Sequence, residues 1–459
     1  MRAARALRAL RLAALAALLA APVRAETLAD ALAAGYDASG LIEQNRALLR
    51  AADEDVAQAV AALRPIVSWT AQAQSNFPAA PFATDTIGEF DLNASLSVVA
   101  SLTVYDGGAR RLLIDVQKET VLATRAGLMD IEQQVLLRVV QAYVAVLRAQ
   151  AFLELRRSSV RLRTEELRAT RDRFDVGEVT RTDVALTEAA LASAQSGVAA
   201  EEGNLVRAIE EFRAAVGRAP GPLESPAPAR IAQSIPEAKA LAQRLQPAIA
   251  QSRHQVAAAE IAILQAEAAL SPTVSLDAQV GLDDDLNESA GLGVTAQGTF
   301  YQGGRLASQV REVMAQRDSA RAGLLVTAQA ADQDVGNAFA NLEVARASQQ
   351  AFDAQSRAAQ VAFEGVREEA RLGARTALDV LDAEQDLLDA RADAVSAQFD
   401  EVTASYQVLA AMGLLTAENL GLNVQIYDPS AYYDLVDDAP AALSEQGEAL
   451  DRVLEAIGD

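Results

Sequence analysis

The spacing of apolar residues along this chain switches between a period of two and a helical period. Apolar residues alternate with polar ones over 66–76 and 90–105, and again over 273–282 and 290–301. Such alternation is typical of strands with one apolar and one polar face, and about ten residues suffice for a tilted strand to cross a bilayer. The pattern therefore predicts two pairs of amphipathic strands of membrane-spanning length.

Long helices are predicted around the strand pairs. The chain has no proline over 82–219 and 273–428, and these stretches are rich in Ala, Leu, Arg, Glu and Gln. Proline is excluded from helix interiors, and these residues are strong helix formers. A helix of about 65 residues would be roughly 100 Å long, so each of the longest helices needs two half-length partners stacked end to end. The predicted helices are 27–64, 109–174, 183–216, 237–270, 305–371 and 379–412.

The two halves of this pattern are copies of each other. One constant offset superposes Tyr105-Asp106-Gly107-Gly108 on Tyr301-Gln302-Gly303-Gly304, Gly177 on Gly373 and Asp183 on Asp379. A register held without gaps indicates a duplication. The predicted domains are repeat 1 over 26–217, a proline-rich linker at mid-height over 218–236, repeat 2 over 237–413, and a C-terminal tail over 414–459. We expect the tail, which is acidic towards its end, to lie at mid-height and to be partly disordered.

Glycines mark the reversals of each repeat. Gly107-Gly108 and Gly303-Gly304 are predicted to form the turns from the second strand of each pair into the long helix. Gly177 and Gly373 lie in two predicted tips, 175–182 and 372–378, where each long helix reverses into a shorter one. A hairpin reversal often needs the backbone freedom of glycine, whereas helix interiors tolerate glycine poorly.

Composition restricts the compartment and the chemistry. Residues 1–25 carry five arginines, four of them ahead of a short apolar run, and an A-x-A-like site follows that run, a pattern that predicts a signal peptide for Sec export. The net charge of −23 gives no basic surface for nucleic acid. With no cysteine and one histidine, His254, the chain has no thiolate or multi-histidine metal site, and no nucleophile or phosphate-binding motif is present. We therefore expect no catalytic, cofactor or metal site, and we interpret His254 as an ordinary helix residue.

Aromatic residues favour a membrane setting for the strands. Trp69, Tyr105, Phe300 and Tyr301 fall near the helix-proximal ends of their predicted strands, where an interfacial girdle would lie. The alternation alone is equally compatible with a soluble sheet that has one wet face. Four strands cannot close a membrane barrel, because the smallest have about eight, so a membrane sheet requires oligomerisation. A trimer would supply twelve strands.

The chain resembles the TolC family of outer-membrane efflux proteins. The resemblance rests on the YDGG and YQGG turns, on RFDVGEVTRTDV and ARLGARTALDVLDAEQ, and on the two repeats of strand pair plus helical hairpin. It implies an α+β membrane protein in which a trimeric 12-stranded β-barrel is continued by a 12-helix periplasmic coiled-coil barrel. In the family this homotrimer is the exit duct of tripartite efflux pumps and type I secretion systems. The implied partners are outer-membrane lipid, a periplasmic adaptor (membrane fusion protein) and an inner-membrane transporter of the RND or ABC type.

The resemblance also implies a gate at the periplasmic tips. Asp379 and Asp382, three residues apart on one helix face, match the carboxylates that constrict the closed entrance and would form rings about the axis. Arg375 matches the arginine that ties neighbouring hairpins together, and Thr182 and Asp183 are its expected partners. Ala370 departs from the pattern, because the best-known member has a tyrosine there. Glu369 or Arg371 is expected to compensate, or else the resting tip is leakier.

Two other classes remain as alternatives. A periplasmic coiled-coil scaffold or adaptor would share the helical hairpins but would lack the paired amphipathic strands. An enzyme would need a nucleophile, a cofactor motif or a metal cluster, and the sequence supplies no candidate.

Overall fold

The computed structural model describes residues 25–76, 91–231, 233–441 and 444–458. The predicted signal peptide, apart from Ala25, and position 90 of the second predicted strand lie outside the described residues. The elements in chain order are α1 (Leu28–Ala38), α2 (Gly40–Ala61), β1 (Ile66–Asn76), β2 (Asp91–Tyr105), α3 (Ala109–Asp175), α4 (Arg181–Val216), α5 (Ile235–Leu245), α6 (Pro247–Ala268), β3 (Thr273–Asp283), β4 (Glu288–Gln297), α7 (Arg305–Arg371), α8 (Ala377–Ala411), α9 (Ser430–Val436) and α10 (Glu445–Gly458).

Both predicted half-length helices that precede strand pairs are divided in two. Ser39 separates α1 from α2 with φ −74° and ψ 105°. Gln246 separates α5 from α6 with φ −65° and ψ 120°. The second break follows from Pro247, because proline disfavours the helical conformation in the residue before it. Pro247 is the first residue of α6, a position where its missing amide hydrogen costs no helical hydrogen bond.

The four strands form one antiparallel sheet in the order β1-β2-β3-β4. Trp69 lies opposite Val98, which lies opposite Val280 of β3, so one apolar face continues across the sheet. Its neighbours Thr70 and Ser97 lie opposite each other on the second face, which is polar. Within the described chain, β1 and β4 are edge strands with one partner each.

Strand β4 ends four residues before the predicted boundary at 301. Gln297 is paired with Thr273, the first residue of β3. The residue before Thr273 is Pro272, which has no amide hydrogen to donate to a continued ladder. Phe300 and Tyr301 therefore follow the strand instead of ending it.

Two compact units make up the chain. The first comprises 25–40, 132–240 and 334–426 of the described residues. In its core the rings of Tyr143 and Phe212 lie with centroids 6.3 Å apart, and both side chains are fully buried. The Tyr143 hydroxyl lies 2.7 Å and 2.6 Å from the carbonyl oxygens of Glu26 and Glu224 and donates its one proton between them. This contact holds Glu26 beside the proline-rich linker, to which Glu224 belongs.

The second unit comprises 41–76, 91–131, 241–333 and the described residues from 427 onwards. It contains the sheet, and its helical core is a cluster in which Leu49 and Val56 of α2 meet Ile114 and Val121 of α3. One stretch of α3 is apolar enough to cross a membrane by composition, but half of it is buried inside the protein. That burial is typical of a core helix.

The C-terminal tail contains two helices, α9 and α10, within the range that the sequence predicts to be partly disordered. Val436 is fully buried, and Tyr432 donates from its hydroxyl to Glu54 at 2.6 Å. The guanidinium of Arg125 lies 5.3 Å from the ring centroid of Tyr433, a distance suited to a cation–π contact. Aromatic residues scattered through a polar segment thus bind the tail to α2 and α3.

Candidate functional site

The two helical hairpins of the first unit reverse through the same backbone conformation. Gly177 and Gly373 both have φ +79°. After α3, Gly177 and Glu178 donate from their amides to Phe174 and Arg173. After α7, Gly373 and Ala374 donate in the same way to Ala370 and Glu369. Each glycine adopts the left-handed conformation that ends a helix. The amides of the glycine and of the residue after it then donate to the last carbonyl groups of that helix.

A capping box follows each glycine turn. Thr180 is the N-cap of α4 and Thr376 is the N-cap of α8. Each threonine hydroxyl accepts a hydrogen bond from the backbone amide three residues later. The carboxylates of Asp183 and Asp379 accept in return from the amide and hydroxyl of their threonine, at 2.8 to 2.9 Å. These hydrogen bonds, with nearby arginines as a smaller cause, hold the pKa of both carboxyl groups below the usual range. Both aspartates are therefore charged at neutral pH and positioned by their own helix start.

Arg375 pairs with a carboxylate of its own hairpin. Its Nε lies 2.8 Å from Glu369 Oε2, and both side chains are about half exposed. Among the residues that the structure describes, no contact joins Arg375 to Thr182 or Asp183. Arg371 pairs with Glu368 instead. The predicted partner set is thus not assembled within one chain.

Asp379 and Asp382 do not have equivalent environments. Asp379 is partly covered by its capping box, whereas Asp382, on the same helix face, is exposed. An exposed carboxylate is free to face an aqueous passage. Of the two predicted constriction residues, only Asp379 also has a structural role at the start of α8.

A buried ionic cluster, absent from the predicted site, lies further from the tip. Arg163 of α3 donates from Nε to both carboxylate oxygens of Glu384 in α8, at 3.2 Å each, and both side chains are almost fully buried. Ser159 donates to the same carboxylate at 2.8 Å. Arg163 also donates to the carbonyl oxygen of Ala190 in α4 at 3.0 Å. One side chain therefore connects three helices from both hairpins.

Glu166 adds a second, partly buried carboxylate to this cluster. Burial, and after it repulsion by Glu384, raises the pKa of Glu166 to about 7, while Arg367 and Arg163 oppose the shift. Within the described part of the chain, its Oε1 is buried without a hydrogen-bond partner. Sequence analysis missed this cluster, although the repeats differ there: Arg163 and Glu166 align with Ala359 and Ala362. Charged residues in repeat 1 at positions where repeat 2 has alanine were the sequence signal that could have predicted this cluster.

A cavity of about 240 Å³ lies beside Glu166, close to the tip. Its wall includes the apolar side chains of Ala169, Ala370 and Val380 and the charged side chain of Arg367. Ala370, the residue that departs from the family pattern, is itself buried. The small side chain at this position leaves space between the two hairpins.

The strand-to-helix turns also share one conformation. Gly107 and Gly303 have φ of +68° and +59°, and Gly108 and Gly304 have φ of +86° and +85°. At Gly107 a Cβ atom would lie 2.7 Å from Ser271 Oγ and 2.8 Å from the Ala268 carbonyl oxygen. Backbone conformation therefore favours glycine at all four positions, and close approach of α6 excludes a side chain at Gly107.

The sheet carries the features expected of a lipid contact. Trp69 and Tyr105 are 72% and 51% exposed, and Phe300 and Tyr301 are 107% and 87% exposed. So many uncovered aromatic and aliphatic side chains on one small sheet are unusual for a surface that faces water. In the part of the chain that is described, no cluster of three or more His, Cys, Asp or Glu side chains forms a metal site.

These features define a class of protein: an outer-membrane channel that combines amphipathic strands with long helical hairpins. A model of the family described as outer membrane efflux protein matches residues 38–218 and 239–414. These two segments make up more than half of the chain, so the chain belongs to this family.

Individual relatives agree with the family match. The outer membrane efflux protein BepC of Brucella suis is 34% identical over 422 residues, which cover 90% of this chain and 91% of BepC. The CmeC outer membrane channel of Campylobacter jejuni has a TM-score of 0.74 at 16% identity and covers 90% of both chains. The MtrE outer membrane channel of Neisseria gonorrhoeae has a TM-score of 0.70 at 19% identity, covering 84% of this chain and 88% of MtrE. The chain is an outer-membrane exit channel of an efflux system.

Proposed function

We propose that three copies of this chain form a passive duct, with a twelve-stranded barrel in the outer membrane and a tunnel of helical hairpins in the periplasm. The observation that carries this proposal is the sheet: it has an apolar face, a polar face and two edge strands. Exposed edges and an exposed apolar face are both unfavourable in water; closure with other copies removes the edges, and membrane lipid covers the apolar face. Val344 and Val361 of α7, 65% and 70% exposed, offer further surface for a neighbouring copy.

The proposed gate lies at the tips of the hairpins. Three copies would place Asp379 and Asp382 in two rings of carboxylates around the axis, and such rings attract cations. Arg375 of one copy would link to Thr182 and Asp183 of the next and hold the tips together. The related MtrE channel has been described in an open state, so a transition between closed and open tips is compatible with the fold.

The proposed partners act from the periplasmic side. A periplasmic adaptor and an inner-membrane transporter of the RND or ABC type would dock at the tips. Docking would favour the open state because these partners bind the open tips more tightly than the closed ones. The transporter would choose the cargo, either drugs or a secreted protein. Residues 1–25 would direct Sec export and be removed.

Fractionation and conductance test the proposal. We expect the protein to sediment with outer membranes, to migrate as a heat-modifiable trimer, and to form ion-conducting channels in planar bilayers. A soluble monomer would support the periplasmic scaffold instead. A deletion strain separates the cargoes, since loss of drug tolerance indicates drug efflux and loss of a secreted protein indicates type I secretion.

The gate is tested by exchanging Asp379 and Asp382 for asparagine, which keeps an acceptor for the Thr376 hydrogen bonds. We expect weaker cation selectivity and weaker block by divalent cations added at the periplasmic side. If both properties persist, the constriction lies elsewhere.

A further inference from the structure

The four strands contain a single charged residue in their interiors. Asp277 lies in the middle of β3, whereas the other charged residues of the strands, Asp91, Asp283 and Glu288, stand at strand ends. No lysine or arginine occurs in the four strands. A charge in the middle of a membrane strand is costly on the lipid face and tolerated on the lumenal face.

The register places Asp277 on the polar face. Its neighbours Leu276 and Ala278 belong to the apolar face, opposite Leu102 and Ala100 of β2. Asp277 itself lies opposite Ser101 of β2 on one side and Gly293 of β4 on the other. Because side chains alternate along a strand, Asp277 points away from the face that would contact lipid.

Neutral hydroxyl groups hold the carboxylate in place. Ser101 donates to Oδ1 at 2.6 Å and Ser275 donates to Oδ2 at 2.9 Å. Neither donor carries a charge, so the negative charge of Asp277 is fixed in position without being neutralised. The facing residue Gly293 has no side chain to cover it.

We infer that Asp277 is a cation-selecting residue in the lumen of the barrel, separate from the aspartates at the periplasmic tip. The inference rests on the proposed trimer, in which three copies of Asp277 stand at one height around the channel axis. A fixed charge acts on passing ions over about one Debye length, roughly 8 Å at physiological salt and 30 Å at 0.01 M. The ring therefore concentrates cations and repels anions, most strongly at low ionic strength.

Selectivity in planar bilayers tests this role. In Asp277→Asn we expect the ratio of cation to anion permeability to fall at least about twofold in dilute KCl, and to approach the wild-type value in concentrated KCl. The matched control is Asp284→Asn, which removes one carboxylate from the β3–β4 turn just outside the strand, and its effect should be smaller. Equal effects of the two substitutions would overturn the assignment to the strand.

A thiol introduced at the same position gives an independent measurement. The chain has no cysteine, so Asp277→Cys provides the only thiol. We expect a membrane-impermeant, negatively charged thiol reagent to modify it in intact outer membranes and to restore cation selectivity, while a positively charged reagent reverses the preference. Mass spectrometry measures the modification without any need for current, so a closed tip does not hide the result.

The outcomes separate this inference from the proposed function. If wild-type trimers conduct but Asp277→Asn leaves selectivity unchanged, or the thiol is not modified, the lumenal role is wrong and the channel remains. If the wild-type protein neither forms trimers nor conducts, the proposed function is wrong, and this inference with it.

Discussion

Arg163 and Glu384 form a buried ion pair that joins the two helical hairpins of one chain. The guanidinium Nε lies 3.2 Å from both carboxylate oxygens, and the two side chains are 8% and 3% exposed. The same guanidinium donates to the carbonyl oxygen of Ala190 in α4. The two hairpins are therefore held together by a contact in the protein interior.

Removing one member of this pair should destabilise the hairpins strongly. Glu384→Ala leaves the Arg163 charge buried without its partner, and such a loss typically costs about 3–5 kcal/mol. The shift of the denaturant midpoint of the detergent-solubilised protein measures this cost. The double variant Arg163→Ala with Glu384→Ala should lose less than the sum of the two single losses, because no unpaired charge remains.

A surface ion pair between α3 and α4 is the control for this prediction. Arg157 and Glu202 lie 2.9 Å apart but are 49% and 52% exposed. Arg157→Ala should cost no more than about 1 kcal/mol. Similar losses for Arg157→Ala and Glu384→Ala would show that burial does not strengthen the inner pair.

Stability should depend on pH through Glu166. The folded protein keeps this side chain protonated up to a pKa of about 7, whereas the unfolded chain loses the proton near 4.5. Between these values the folded state binds more protons, so stability should fall as the pH rises from about 4.5 to 7. The groups that face Glu166 are Glu384, Arg163 and Arg367. Midpoints of thermal unfolding at pH 5 and pH 8 measure the effect.

Glu166→Gln should reduce this dependence, since glutamine is neutral at both pH values. The control is Glu165→Gln, which changes the exposed neighbour and should leave the dependence as it is in the wild type. If Glu166→Gln retains the full wild-type loss between pH 5 and pH 8, another group causes it.

Tyr143 gives a prediction based on the difference between the two repeats. Its aligned residue is Phe339, which has no hydroxyl. Tyr143→Phe removes the donor to the buried carbonyl oxygens of Glu26 and Glu224 and should cost about 1–3 kcal/mol. Tyr301→Phe, at an exposed position, should cost much less. An equally small effect at Tyr143 would mean that water replaces its hydroxyl.

The alternation and the absence of proline predicted most of the elements, because both follow from local backbone physics. The predicted helix at 305–371 has the bounds of α7, and the predicted helix at 379–412 overlaps α8 nearly completely. The break at Pro247 was also readable, since a proline inside a helical pattern ends a helix. The break at Ser39 was readable as well, since Gly40 follows it and a Ser-Gly pair marks a turn.

Tertiary contacts account for what the sequence did not predict. Arg163 and Glu384 are far apart in the chain, and no local pattern shows that their side chains meet in the interior. The packing of the tail likewise depends on contacts of Tyr432 with Glu54 and of Tyr433 with Arg125. The spacing of Thr376 and Asp379 was enough to predict that Asp379 caps a helix, because a capping box has its two residues three positions apart. That capping role does not exclude a second role for Asp379 in the channel constriction.

The last prediction separates two explanations of Arg375 at the tip. If Arg375 serves only its own hairpin through Glu369, then Arg375→Ala and Glu369→Ala should act alike, and Asp183 should be irrelevant. If Arg375 links neighbouring copies as proposed, Arg375→Ala combined with Asp183→Asn should raise single-channel conductance well above that of Glu369→Ala. Asparagine is used at Asp183 because alanine would also remove its hydrogen bonds with Thr180.

Thr180→Ala is the matched control, since it weakens the cap at a cost of about 1 kcal/mol and keeps the carboxylate charge. A rise in conductance with Thr180→Ala alone would assign the closed tip to the helix cap, whereas a rise confined to the Arg375 and Asp183 variants requires an ion pair between copies.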